Sequence, residues 1–291
     1  METNEYINEY HFPTRYLKDT KKMVTAEELG DKAIKEVIEE YPKIGDILDK
    51  HGIGCTPCKV GICKLKDVVK IHFLPKEQEE TIFKEINEFL DGQSVSAGTA
   101  KHTKNEEMDL TKDLVEEHKL IKKAIDLLEK AIGELSKGKE VEPIIFEQVT
   151  DFIKNFADKF HHAKEEDILF KELIKKGMPE KDSPIEAMLI EHDQGRNFVK
   201  GIVKGTEDLK KGNKDANKEI IENAKGYIEL LREHIDKEDN ILYPLAEKTF
   251  TKDEKDKQLD EYKKAEIEKG GLATVQKYKD LVAKLEEKGF K

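Results

Sequence analysis

Six residues in the second half of the chain are of types that bind transition metals and recur at helical spacing: His118, His161 with Glu165, His192, and His234 with Glu238. Residues four apart share one face of a helix, so each His/Glu pair makes a two-toothed clamp, while His118 and His192 bring one nitrogen each. Six ligands exceed what one structural zinc accepts. Imidazole mixed with carboxylate suits iron, and two carboxylates can bridge a metal pair and leave positions open to a small molecule. A di-iron centre is the chemistry this pattern predicts, although manganese or a mixed pair would fit the same ligands.

The elements that must position these residues are four long amphipathic segments, separated by breaks near 133–143, 176–184 and 204–215. In the first, Leu110, Leu114, His118, Ile121, Ile125, Leu128 and Ile132 follow 3-4 spacing, which places His118 inside the apolar stripe. The second carries Ile153, Ala157, Phe160, His161, Glu165 and Ile168. The third opens on a capping box, Ser183-Pro184-Ile185-Glu186, and its stripe runs through Ile185, Leu189, His192, Val199 and Val203. The fourth runs Ile220, Ala224, Tyr227, Leu231, His234, Glu238, Ile241 and Leu245. A lone histidine on a helix is usually a surface or satisfied core residue, and HHAKEED or EHIDKED alone reads as a solvated face. The joint pattern outweighs that reading. One member or one clamp falls on each helix in order, always on the apolar stripe, and unpartnered buried glutamates would cost several kcal/mol.

His162 with Glu166 offers an overlapping clamp that spacing alone does not exclude. Alignment of FHHAKEEDILF with EHIDKEDNILY pairs His161 with His234 and Glu165 with Glu238. Stepping back from His162 meets Asp158 and Asn155, a polar face, whereas stepping back from His161 meets Ala157 and Ile153. The 161/165 clamp is therefore preferred.

Charged residues make up 40% of the 291 residues against 37% hydrophobic, and tryptophan is absent, which suits amphipathic helices with one apolar stripe each. The net charge of -11 repels phosphate backbones and anionic lipid headgroups, so neither nucleic acid nor membrane is an expected partner. No stretch approaches the roughly 20 apolar residues of a membrane span, and the polar start lacks an apolar signal core, so the expected location is cytoplasmic. The expected organisation is an arm over 1–24, a small helical domain with a cysteine loop over 25–91, a linker over 92–104, the four-helix bundle over 105–250 and a helical tail over 251–291. The fold class is thus all-α, an up-down four-helix bundle preceded by a small helical domain.

The segments EEHKLI, FHHAKEEDILF, IEHDQGR and EHIDKEDNILYP resemble those of the hemerythrin (HHE) family across about half of the chain. They are most similar to the di-iron iron-sulfur cluster repair proteins of bacteria, which share a KEExILF second motif, an EHD third motif and an HxxxExNxLFP fourth motif. The resemblance implies two iron ions, oxo- or hydroxo-bridged, with His118, His161, His192 and His234 as terminal ligands and Glu165 and Glu238 as bridges. It also suggests Glu191 as a proton relay, while Ala157 stands where the repair group tends to carry another acid. The segment EYKKAEIEKGGLATVQKYKDLVAKLE resembles the helical tail of many prokaryotic HHE proteins, which packs on the bundle.

Cys55, Cys58 and Cys63 form C-x2-C-x4-C in a glycine-bearing loop, close enough for three thiolates to converge. A [4Fe-4S] cluster, a zinc, a redox dithiol at Cys55 and Cys58, or simple packing all fit, and a fourth position would be left for an exogenous ligand, for a residue such as His51 or His72, or for nothing. Lys59, Lys64 and Lys66 would lower the thiol pKa values. The repair proteins carry an adjacent cysteine pair at about this place, whereas GIGCTPC looks more like a small domain of uncharacterised function often fused to hemerythrin domains. Two functions follow as expectations. One is a di-iron oxidoreductase or binder acting on nitric oxide or dioxygen in stress response and cluster repair, with a redox partner or an iron-sulfur client protein. The alternative is reversible oxygen binding or sensing without catalysis.

Overall fold

The computed structural model describes residues 24–55, 61–92, 110–213 and 215–288. The arm expected over 1–24 and the linker expected over 92–104 fall almost wholly outside them. The described residues form helices and no strand.

Short helices come first: α1 (Ala26–Leu29), α2 (Ile34–Glu40), α3 (Pro42–Lys50), α4 (Val68–Ile71) and α5 (Lys76–Leu90). Their boundaries follow local chemistry. Thr25 and Glu28 make a capping box at α1, and Pro42 occupies the first turn of α3, where its missing N–H costs nothing.

The bundle begins with α6 (Lys112–Ser136), which ends where Gly138 takes φ +76°, a conformation that favours glycine. The second bundle helix runs from α7 (Pro143–Phe152) through π-helical Ile153–His162 and Glu165–Leu169 into α8 (Phe170–Lys175). Third is α9 (Pro184–Lys210), with Ser183 as its N-cap. The reciprocal arm of the expected capping box differs: Glu186 accepts at 2.6 Å from the amide of Asp182 rather than that of Ser183. The fourth runs from α10 (Ala216–Lys237) through π-helical Glu238–Leu242 into α11 (Tyr243–Thr249), and α12 (Lys252–Glu268) and α13 (Gly271–Lys288) follow.

Apolar residues of the bundle form two cores. One holds Leu114, Ile168, Met188 and Leu242 together with Ile44, Ile82 and other residues of α1–α5. The other holds Ile121, Phe160, Val199 and Leu231, with Tyr278, Val282 and Leu285 of α13 packed on it. The first and third helices pass from the former core to the latter, and the second and fourth pass back, which makes the up-down topology expected from short connections. Between the two cores lies one polar layer.

Two stripes depart from the expected register. On the fourth helix, Ile241 and Leu245 are only partly buried and Leu242 and Ala246 take the inward places. A π turn holds about one residue more than an α turn, so the stripe advances by one after Glu238. On α9 the inward line is Ile185, Met188, His192, Val199 and Ile202, leaving Leu189 exposed at 37%.

Candidate metal centre

The polar layer consists of His118, His161, Glu165, His192, His234 and Glu238, all at most 2% exposed. Glu165 and Glu238 lie within or at the start of the π-helical stretches, in which the widened turn shifts side chains relative to an α-helix. His118, His161, Glu165 and Glu238 offer ligand atoms all within 4.8 Å of one another, and so do His162, His192 and His234.

The histidines meet in facing pairs. Nε2 of His118 is 3.0 Å from Nε2 of His161, and Nε2 of His192 is 3.0 Å from Nε2 of His234. Glu238 reaches both pairs, with Oε2 3.3 Å from His118 and Oε1 3.1 Å from His234. Oε2 of Glu165 stands 3.6 Å from His161 and 3.8 Å from His192, while its Oε1 accepts from the Tyr243 hydroxyl at 2.6 Å.

Each imidazole is oriented from behind. His118 donates from Nδ1 to Asp239 at 2.7 Å, His161 to Glu117 at 2.8 Å, His192 to Glu166 at 2.6 Å and His234 to Glu191 at 2.9 Å. Every one of these carboxylates is held by a cation: Asp239 by Lys122 at 2.9 Å, Glu166 by Arg196 at 2.7 Å, Glu117 by Lys164 and Glu191 by Lys237. Lys164 is itself 1% exposed and also pairs with Glu266 of α12 at 2.8 Å. A carboxylate behind Nδ1 fixes the tautomer, so Nε2 presents a bare lone pair toward the layer.

That assignment tests the fit to metal. Two bare nitrogens 3.0 Å apart repel unless a proton or a cation lies between them, and the layer contains two such pairs. Oε2 of Glu165 and both oxygens of Glu238 are buried without a hydrogen-bond partner. Such atoms are costly in an apolar core unless a positive charge answers them. Two cation positions, one per histidine pair, spanned by two carboxylates, satisfy all of them.

Without a metal, protons must do part of that work. Burial opposes charge on His234, yet Glu238 and Glu191 raise it to about 9. His118 is likewise raised by Asp239 and Glu238 against its burial. Burial and the neighbouring charge of Glu238 push Glu165 well above the carboxylate range. Glu238 itself is held well below that range, because His234 and His118 overcome its burial. His161 is depressed by burial and His118, and His192 falls to about 3 through burial and His162, so both are neutral donors from Nδ1.

The layer is built on an internal repeat. Glu117-His118 and Lys122 recur as Glu191-His192 and Arg196, and His161, Lys164-Glu165-Glu166 recur as His234, Lys237-Glu238-Asp239. In each half, the acid before the lone histidine serves the histidine of the clamp, and the acid after the clamp glutamate serves the lone histidine of the other half. Glu191, expected as a relay, thus orients His234. Glu117 and Asp239 went unnoticed in the sequence, although alignment of the two halves carried their signal, and Glu166 was weighed only as the partner of His162 in the alternative clamp, whereas it orients His192. Sequence reasoning also placed His162 on a polar face. The structure buries His162 to 8% exposure beside His192, because the π-helical turn brings it inward together with His161.

Cys55 and Cys63 are buried in the core of the N-terminal helices, and Cys58 lies outside the described residues. His51 approaches Glu85 at 3.2 Å, and His72 is pushed down to about 4 by burial and Lys248.

Residues 109–246 match the family model of the hemerythrin HHE cation binding domain, which supports a metal-binding helical bundle. No curated protein and no solved structure matches the chain. Among the described residues, no helix is long and apolar enough to cross a membrane.

Proposed function

We propose that the bundle holds two iron ions, one between His118 and His161 and one between His192 and His234, with Glu165 and Glu238 reaching across both. The observation that carries this reading is the pair of 3.0 Å Nε2 contacts among imidazoles whose Nδ1 protons are already committed to carboxylates. Iron bound there supplies electrons and open coordination positions for a small diatomic such as nitric oxide or dioxygen. The chain's own part is to orient each Nε2, to keep water out with two apolar cores, and to hold Glu165 through Tyr243. We assign the centre to binding or reducing such a diatomic, in the nitrosative or oxidative stress response and in iron-sulfur cluster repair. The cysteine loop would be the part that meets a client protein or a redox partner.

A second reading, reversible oxygen binding or sensing, is favoured by the small cavity beside His192 and His234, whose walls include the apolar Tyr227, Leu230 and Leu231. Spectra of the reduced protein through cycles of dioxygen addition and removal separate the two: full recovery supports carriage, irreversible oxidation supports catalysis.

Metal content per chain, measured by elemental analysis on protein purified without oxygen, tests the centre itself. About two irons are expected from the bundle, and about five or six if Cys55, Cys58 and Cys63 also hold a cluster. His161→Ala or His234→Ala should abolish binding of the pair, and His162→Ala should leave most of it. Full iron in His234→Ala would overturn the assignment.

A further inference from the structure

The two halves of the repeat are not equivalent around the layer. His162 corresponds to Ile235, and Gly195 corresponds to Ile121. Ile121, one turn after His118, and Ile235 are both buried in the apolar core. Where the other half has Gly195 instead, a cavity of about 20 Å³ opens, bordered by His162, Glu191, His192, Gly195 and His234. That volume is room for about one water-sized molecule. The hairpin of α12 and α13 packs against α6 and the second bundle helix, which is the side of His118 and His161.

His162 faces this cavity as a polar residue with unused capacity. Its Nδ1 has no hydrogen-bond partner, and Asp158, tied to Arg196, stands 3.5 Å away. A ring nitrogen of His162 lies within 4.8 Å of one on His192 and one on His234. It is nonetheless badly placed to share a metal with His192. The two rings are stacked with centroids 3.7 Å apart and planes 11° from parallel, so their in-plane lone pairs cannot converge on one ion.

We propose that a small ligand reaches the centre on its His192/His234 side, through the cavity at Gly195, and that His162 is the side chain that contacts it there. The inference rests on the metal-pair reading above. An imidazole in that place gives or takes one hydrogen bond, and the closed isoleucine counterpart gives the ligand no equivalent approach on the other side.

The test uses the iron-loaded full chain, with azide as the probe and its binding followed by absorption. His162→Leu should keep two irons per chain and weaken azide about tenfold, the worth of one hydrogen bond, with partial rescue in His162→Gln. Gly195→Leu should slow azide association by more than about tenfold by filling the cavity. Gly195→Ala is the milder version, since a Cβ there meets Tyr227 at 3.5 Å and Leu230 at 3.9 Å, both ordinary contacts. Ile121→Leu on the opposite side should leave azide binding unchanged. Unaltered azide binding in the His162 and Gly195 variants at full iron content overturns the proposal, and so does loss of iron from His162→Leu, which would make His162 a ligand. Wild-type protein that takes up no iron pair overturns the metal-pair reading itself, and the proposal with it.

Discussion

Glu191 precedes His192 in the chain yet serves His234: its Oε2 accepts from Nδ1 at 2.9 Å, and Lys237 holds its other oxygen. Glu117 does the same for His161 with Lys164. Removing an acid behind a ligand imidazole frees the ring to turn and lowers its basicity. Glu191→Ala and Glu117→Ala should each weaken metal binding about 10- to 100-fold, with Gln variants less affected, in competition against a chelator. Affinities equal to wild type in both would show that the carboxylates only solvate the helices.

Tyr243 breaks the repeat, because its counterpart is Phe170, itself buried. Tyr243→Phe therefore suits the site sterically but strips Oε1 of Glu165 of its donor. The metal-free protein should lose about 1–3 kcal/mol in denaturant unfolding, while iron content stays at that of wild type. Iron loss on this substitution would mean that the hydroxyl is needed to keep Glu165 in ligating position.

Protons held by the metal-free layer must leave when metal arrives. Burial and Glu238 raise Glu165 well above the carboxylate range, and His234 is kept protonated up to about 9. Both have raised pKa values, so the competing protonated forms dominate below those values and fade above them. Metal affinity should therefore rise with pH through neutrality, by about tenfold per pH unit for each proton displaced, until pH passes about 9 for His234. Ferrous titration in weakly buffered dye solution should release about two protons per chain or more. Release of none would contradict this charge balance.

The N-terminal helices and one end of the bundle share a core containing Leu110, Leu114, Leu169 and Leu173. A chain of residues 105–291 would expose these leucines, each worth about 1.5–3 kcal/mol when buried, and should be several kcal/mol less stable in urea. Its six metal-layer residues come wholly from the bundle, so the truncated chain should still bind iron. A truncated chain that matches the full chain in stability would mean that the shared core contributes little.

The positions of His118, His161, Glu165, His192, His234 and Glu238 on inward faces could be read from the chain, because helical periodicity is local: spacing of three and four residues assigns a face without reference to any other helix. Leu114 and Ile121 on either side of His118 placed it inside an apolar stripe, although the division of that stripe between two cores emerged only from packing. Four things could not be read that way. His162 turned inward because a π-helical stretch changes the angle per residue, and the stripe after Glu238 moved from Ile241 to Leu242 for the same reason. Leu189 is left at the surface because α9 meets its neighbours along the line of Met188 and His192 instead. The pairing of Asp239 with His118 and of Glu117 with His161 joins residues 121 and 44 apart, and such contacts exist only once the helices are packed in register. Residue type and period alone therefore determined which polar side chains point into the bundle, whereas tertiary packing decided which carboxylate orients each imidazole and on which side a cavity remains, since both depend on distances between helices that no local spacing encodes.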